Sequence, residues 1–192
     1  MAKYGARDVN FAKIKTETEK ALPAYDAKQS LGALQSVTDS VAFNEGRQYG
    51  DDTLKEHINE FKELTVDVEV AELSIAVAGA VFGAKATPGE SGAGGEIVYS
   101  DADVAPWGGL AFVSCKLINN VRKFRGIFYP KVKAAMQGET YTTKGDSITL
   151  TGGKLHFVGV AAANGVFKAE SDDLDTYDAA KAWCNAKLGG TA

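Results

Sequence analysis

The sequence predicts a mainly β domain capped by a helix, and a second helix closes the chain. Three observations carry this. Leu64, Val66, Val68 and Val70 alternate strictly with Thr65, Asp67 and Glu69, the pattern of a strand with one dry and one wet face. At Ala71 the period changes, and Leu73, Ala76, Val77, Ala80 and Val81 follow at helical spacing until Gly83 stops them. The rest of the chain is short apolar runs broken by turn residues, with 21 glycines against 4 prolines in 192 residues, as many tight turns require.

That length suits one well-buried domain and would cramp two. The composition, 45% hydrophobic and 24% charged, is that of a globular protein, and a net charge of −4 argues against a molecule that binds polyanions over its whole surface. Cys115 and Cys184 belong to no Cys-x-x-Cys pair and are expected to be reduced thiols. The opening MAKYGARDVN has no apolar core of a secretory signal, and no apolar run has membrane-spanning length. Synthesis and folding in a cytoplasm are expected, with no membrane contact.

In chain order, residues 1–14 read as a short extended segment anchored by Val9 and Phe11, and Thr16–Ser30, broken by Pro23, as a loop or an irregular edge strand. Leu31–Phe43 is extended. Residues 44–62 have an acidic excess and few apolar anchors; they are expected to form a long polar loop, or else a long hairpin that leaves the body of the fold. Residues 84–95 read as a glycine-rich surface loop whose glycines match no phosphate-binding pattern. Ile97–Tyr99 is a strand candidate. Asn119-Asn120 is a tight-turn signal, so residues 110–132 read as a β-hairpin. Ser147–Val160 is extended, Asn164-Gly165 is a second hairpin turn whose return begins at Val166, and Tyr177, Ala180, Cys184 and Leu188 mark the final helix.

Few residues suggest catalysis. His57 and His156 lie in unlike settings, no nucleophile motif accompanies them, and the spacing of zinc ligands is absent, so no enzyme activity, metal or cofactor is expected. Asp172, Asp173, Asp175 and Asp178 lack the glycine and closing glutamate of a calcium loop and read as charges at a helix start. Lys116, Arg122, Lys123, Arg125, Lys131 and Lys133 are interleaved with Phe124, Phe128 and Tyr129 and have no acid among them. Such a ribbon suits a β-rich nucleic-acid-binding module. The reading favoured here is a strand face matched by acidic neighbours from elsewhere, another subunit included.

Taken together, six stretches resemble the tail tube (major tail) proteins of long-tailed bacteriophages with non-contractile tails. They are AKYGARDVNFAKI (Ala2–Ile14), AFNEGRQYGDD (Ala42–Asp52), ELTVDVEVAELSIAVAGAVFG (Glu63–Gly83), GLAFVSCKLINNVRKFRGIFYPKVK (Gly109–Lys133), DSITLTGGKLHF (Asp146–Phe157) and AKAWCNAKLG (Ala180–Gly189). No one of them is specific; their order and spacing carry the resemblance. It implies a single tail-tube domain built as a β-sandwich or partly closed β-barrel. It implies hexameric rings stacked into a hollow tube in the virion, with a tape-measure protein, a tail terminator and a distal tail protein as partners. DNA would pass through without specific binding. The tube of a phage-derived bacteriocin or contractile injection system would look alike in sequence.

On this reading Asp51, Asp52, Glu56 and Glu60 of one subunit are expected to meet Arg122, Lys123 and Arg125 of a neighbour. Glu63, Asp67 and Glu69 are expected to face the lumen. The helix Leu73–Phe82, apolar on more than one side, is expected to touch its own sheet and an adjacent subunit.

Overall fold

Two long hairpins and one long strand build the main sheet. The computed structural model describes residues 2–87, 89, 94–138, 143 and 152–189. The strands are β1 (Ala2–Thr18), β2 (Ala21–Tyr25), β3 (Gln29–Ser30), β4 (Leu34–Gly50), β5 (Thr53–Val70), β6 (Lys85–Thr87), β7 (Glu96–Val98), β8 (Trp107–Ile118), β9 (Val121–Ala135), β10 (Gly153–Gly159) and β11 (Ala169–Glu170). The helices are α1 (Ile75–Phe82) and α2 (Tyr177–Lys187). The sheet is antiparallel, in the order β2–β1–β8–β9–β10–β5–β4, with β3 added to β1 and β11 to β9; β6 and β7 pair separately. It rolls until β1 and β4, at or near its opposite ends in strand order, approach each other across a common core without closing into a barrel. The fold is mainly β, as the alternation and the turn residues predict.

β8 and β9 meet at Asn119-Asn120, both at positive φ (49° and 66°), the geometry of a turn whose twist matches its strands. Every residue of β8 from Gly108 to Lys116 is buried, because apolar material covers both faces. Leu110 and Phe112 join β1, β5 and β10 in the larger core, which holds Val9, Leu64, Val66, Val68, Val70 and Phe157. Ala111 and Val113 turn to the other face, where Phe128 and Tyr25 meet Ala180, Cys184 and Leu188 of α2 and its C-terminal end. The helix lies so close that a Cβ at Gly126 would stand 2.5 Å from Trp183 and 3.0 Å from the Cys184 sulfur.

The predicted alternation of β5 holds: Leu64, Val66, Val68 and Val70 are inside, and Glu63, Thr65, Asp67 and Glu69 stay at the surface. Ser74 caps α1 by accepting the Val77 N–H, and Gly83 ends it. Ile75 and Ala76 of α1 stay exposed, while one flank of the helix is covered within the chain. The small β6–β7 hairpin lies against it, and a Cβ at Gly79 would stand 2.8 Å from the Ala86 side chain.

Other expectations change. β1 is a strand of 17 residues inside the sheet, since Val9, Phe11 and Ala12 anchor it between β8 and the core. Pro23 sits in the edge strand β2, where its missing N–H costs no ladder bond. Within 84–95, Lys85–Thr87 is strand, while 88 and 90–93 lie outside the described residues, as does 147–151 of the predicted Ser147–Val160 run. The turn at Asn164-Gly165 forms, but the return strand β11 pairs with β9, because β10 is already flanked by β5 and β9.

Residues 44–62 are no loop. They are the outer halves of β4 and β5, paired from Asn44↔Glu60 to Gly50↔Thr53. The turn is Asp51-Asp52, both at positive φ (49° and 60°), which aspartate tolerates better than most residues. Backbone pairing alone makes this ribbon, so no hydrophobic alternation marks it.

Candidate assembly surfaces

Beyond Leu64 the β4–β5 ribbon leaves the body. β10 ends opposite Leu64, at Gly159, so from there outward neither edge of the ribbon has a strand neighbour. Phe61 stacks on Phe167 at 4.3 Å and supports the base. Every residue from Asn44 to Glu60 except Gly50 is exposed, including Tyr49 (64%), Leu54 (51%) and Ile58 (51%). A two-stranded ribbon alone is at best marginally stable in water, and open edges with apolar side chains invite pairing.

The predicted contact acids lie on this ribbon. Asp51 is fully exposed, with Lys55 4.0 Å away, a contact worth little. Asp52, Glu56 and Glu60 have no ion-pair partner among the described residues. Glu45, at the ribbon's middle, takes Arg47 at 2.9 Å and His57 at 3.8 Å.

The predicted basic partners lie elsewhere and are mostly occupied. The segment 169–174 runs along the free edge of β9. Phe124 and Leu174 exchange both backbone hydrogen bonds at 2.8 Å, and the Ser171 N–H donates to the Gly126 carbonyl. This delivers Glu170, Asp173 and Asp175 to the cations of β8 and β9. Arg125 holds Asp173 and Glu170, each at 2.9 Å, Lys116 holds Asp173 at 3.1 Å, and Lys123 pairs with Asp175. Lys168 extends the chain, joining Glu170 at 3.1 Å to Asp39 on β4 at 2.7 Å, and Asp39 also accepts from the Tyr129 hydroxyl. The alternating series Asp39–Lys168–Glu170–Arg125–Asp173–Lys116 thus ties β4, β11, β9 and β8 together.

Hydrogen bonds from Arg125 and Lys116 hold the Asp173 carboxyl below its ordinary pKa. For Glu170, burial works upward, but Arg125 and Lys168 outweigh it and the net shift is down. Asp39 behaves likewise, with burial opposed by Lys168 and Tyr129.

Four cations of the strip, Lys116, Lys123, Arg125 and Lys131, thus meet acids of their own chain. Of the cations expected to meet a neighbour's acids, Lys123 and Arg125 already hold Asp175, Asp173 and Glu170 within the chain. Arg122 is exposed and has no ion pair among the described residues. Asp173 and Asp175 also precede the α2 N-cap, Thr176, so of the acidic run only Asp178 sits in the first helical turn. These pairings join residues about 50 positions apart, which no local pattern reveals.

The predicted lumen acids share the outer face of the β10–β5–β4 layer, each beside a basic side chain. Glu63 lies 3.4 Å from Lys62, Asp67 2.6 Å from His156 Nδ1, and Glu69 3.3 Å from Lys154. Glu69 also accepts from the Ser36 hydroxyl at 2.8 Å, and that bond, then Lys154, depresses its pKa. The face is polar, with its acids set beside Lys62, Lys154 and His156. No protein-family model matches the chain, and no curated protein matches it in sequence.

Proposed function

We propose that this chain is a structural subunit that assembles into a hollow tube, the tail tube of a long-tailed bacteriophage, through which DNA passes from capsid to host. The observation that carries the reading is the bare β4–β5 ribbon: strand-paired, open on both edges and apolar at its tip. A monomer gains nothing from it, and a polymer gains a connecting arm. Two further features support the reading. The strands at the ends of the sheet, β2 and β4, present outer edges that side-by-side copies would pair, which removes them from solvent in a ring. On the outer face of β4, β5 and β10 the acids Glu63, Asp67 and Glu69 stand beside only two lysines among the described residues, Lys62 and Lys154, which suits a DNA conduit, because a lining with surplus cations would grip phosphates.

In this assembly, rings form by edge pairing and stack by the ribbon. Stacking contacts are heterologous and do not close, so the product is a filament whose length other proteins must set. The virion is then the place of action, and the tape-measure, terminator and distal tail proteins are the partners.

Negative-stain microscopy of the concentrated protein is the direct test, with six-fold rings or hollow tubes as the expected images. Particles that remain single 20.2 kDa chains at every concentration and salt would sink the proposal.

A further inference from the structure

A groove of about 340 Å³ opens at the α1 end of the sheet. Phe82, Tyr99, Val104 and Met136 form its apolar lining, with Lys133 and Asp103 beside them. Val104 is 71% and Met136 57% exposed, so the apolar lining is uncovered in the monomer. Asp103 accepts the Ser100 N–H at 2.8 Å through one of its carboxylate oxygens. Lys133 stacks over the Trp107 ring at 5.8 Å and has no acid partner among the described residues.

The strand registers place this groove opposite the ribbon tip. β5 and β9 each run antiparallel to β10, so they point the same way, and Leu64 and Val132 both pair with Gly159. Eleven positions earlier stand Thr53 and Val121, the first residues after the two turns. Both turns therefore lie at one end of the sheet. Val70, Ala135 and Trp107 lie at the other, with α1 and the groove.

We infer that the groove is the receptor for the ribbon tip of a second copy of this chain. Tyr49, Leu54 and Ile58 enter the apolar lining, and the acids Asp51, Asp52 and Glu56 come to Lys133. Both surfaces expose apolar side chains, and the acids of the ribbon meet the one cation of the groove, which has no acid partner among the described residues. Because tip and groove sit at opposite ends of one molecule, the contact repeats head to tail without limit. The inference rests on the proposed function only in taking the ribbon as the assembling arm.

A mixing experiment tests it. The groove variant is Val104→Glu with Met136→Glu, and the tip variant is Leu54→Ser with Ile58→Ser; all four positions are solvent-exposed, so both variants should fold. Circular dichroism melting checks folding, and sedimentation velocity reads assembly. Each variant alone should lose stacking, with at least a roughly 30-fold weaker self-association, the loss expected for interface hot spots. Mixed, the intact groove of one and the intact tip of the other should form complexes of two units, single chains or single rings, and no longer. A groove variant that assembles like wild type while the tip variant does not overturns the inference and leaves the tube reading standing. If neither variant differs from wild type, or wild type never stacks, both fail. A groove variant that melts early is replaced by Lys133→Glu, which should weaken stacking and be restored by Asp51→Lys with Asp52→Lys; absence of that restoration overturns the inference.

Discussion

The molecule contains two long hairpins with the same kind of turn, and they are used in opposite ways. β8–β9 turns at Asn119-Asn120 and is buried on both faces from Gly108 to Lys116; the outer β4–β5 ribbon turns at Asp51-Asp52 and is bare on both faces. Backbone pairing and a positive-φ turn suffice to make either one. What separates them is the destination of the side chains. β8 sends Leu110 and Phe112 to one core and Ala111 and Val113 to the other. The ribbon sends Tyr49, Leu54 and Ile58 into water. Stability therefore concentrates in the first hairpin, and the second is left open to solvent.

The contrast is broken most strongly at Phe128, fully buried and packed edge-on against Tyr25 at 6.0 Å. Phe128→Ala should cost ~3–5 kcal/mol in urea unfolding, whereas Ile58→Ala should change monomer stability by less than ~0.5 kcal/mol. Equal losses at the two positions would mean that the ribbon packs on the body after all. Next in size, Gly126→Ala puts a methyl group 2.5 Å from Trp183, and the overpacking should cost ~1–3 kcal/mol; an unchanged melting temperature would show that α2 yields freely.

Acid should act on the body of the fold through the ion series. Asp39, Glu170 and Asp173 have carboxyl pKa values below their unfolded values of about 4. Between the two values the unfolded chain binds protons that the native one refuses. The stabilisation is thus complete at neutral pH and is lost as pH falls through the native values. The melting temperature should hold steady from neutral pH down to about 5 and decline below it. Asp173→Asn should flatten that decline; an identical pH profile in the variant would remove Asp173 from the account. The smallest change belongs to the ribbon tip. Asp52→Gly supplies the residue best suited to the second turn position and should alter monomer stability by only a few tenths of a kcal/mol, ~0.3 in either direction, by the same melting assay.

The body of the fold was legible because its strands carry their burial in their sequence. The alternation of Leu64–Val70, the apolar run of 110–118 with Asn119-Asn120 and the helical spacing around Cys184 each state where a side chain goes. The ribbon reads in sequence as either a polar loop or a long hairpin, and the hairpin is what forms; its pairing is made by backbone, which leaves no apolar period to decide between the two. The ion series was illegible for another reason. Lys116 and Asp173, or Asp39 and Lys168, meet only because β11 returns to the edge of β9 instead of pairing with β10, and that choice depends on the whole sheet.

Both thiols are shut inside. Cys115 lies in β8, and Cys184 donates to the Phe112 carbonyl at 3.4 Å, with burial pushing its pKa up to about 12. Almost none of the Cys184 sulfur is thiolate at neutral pH, and the thiolate is the form that oxidants and disulfides attack. With Cys115 buried as well, neither thiol is placed to cross-link one copy to another in air.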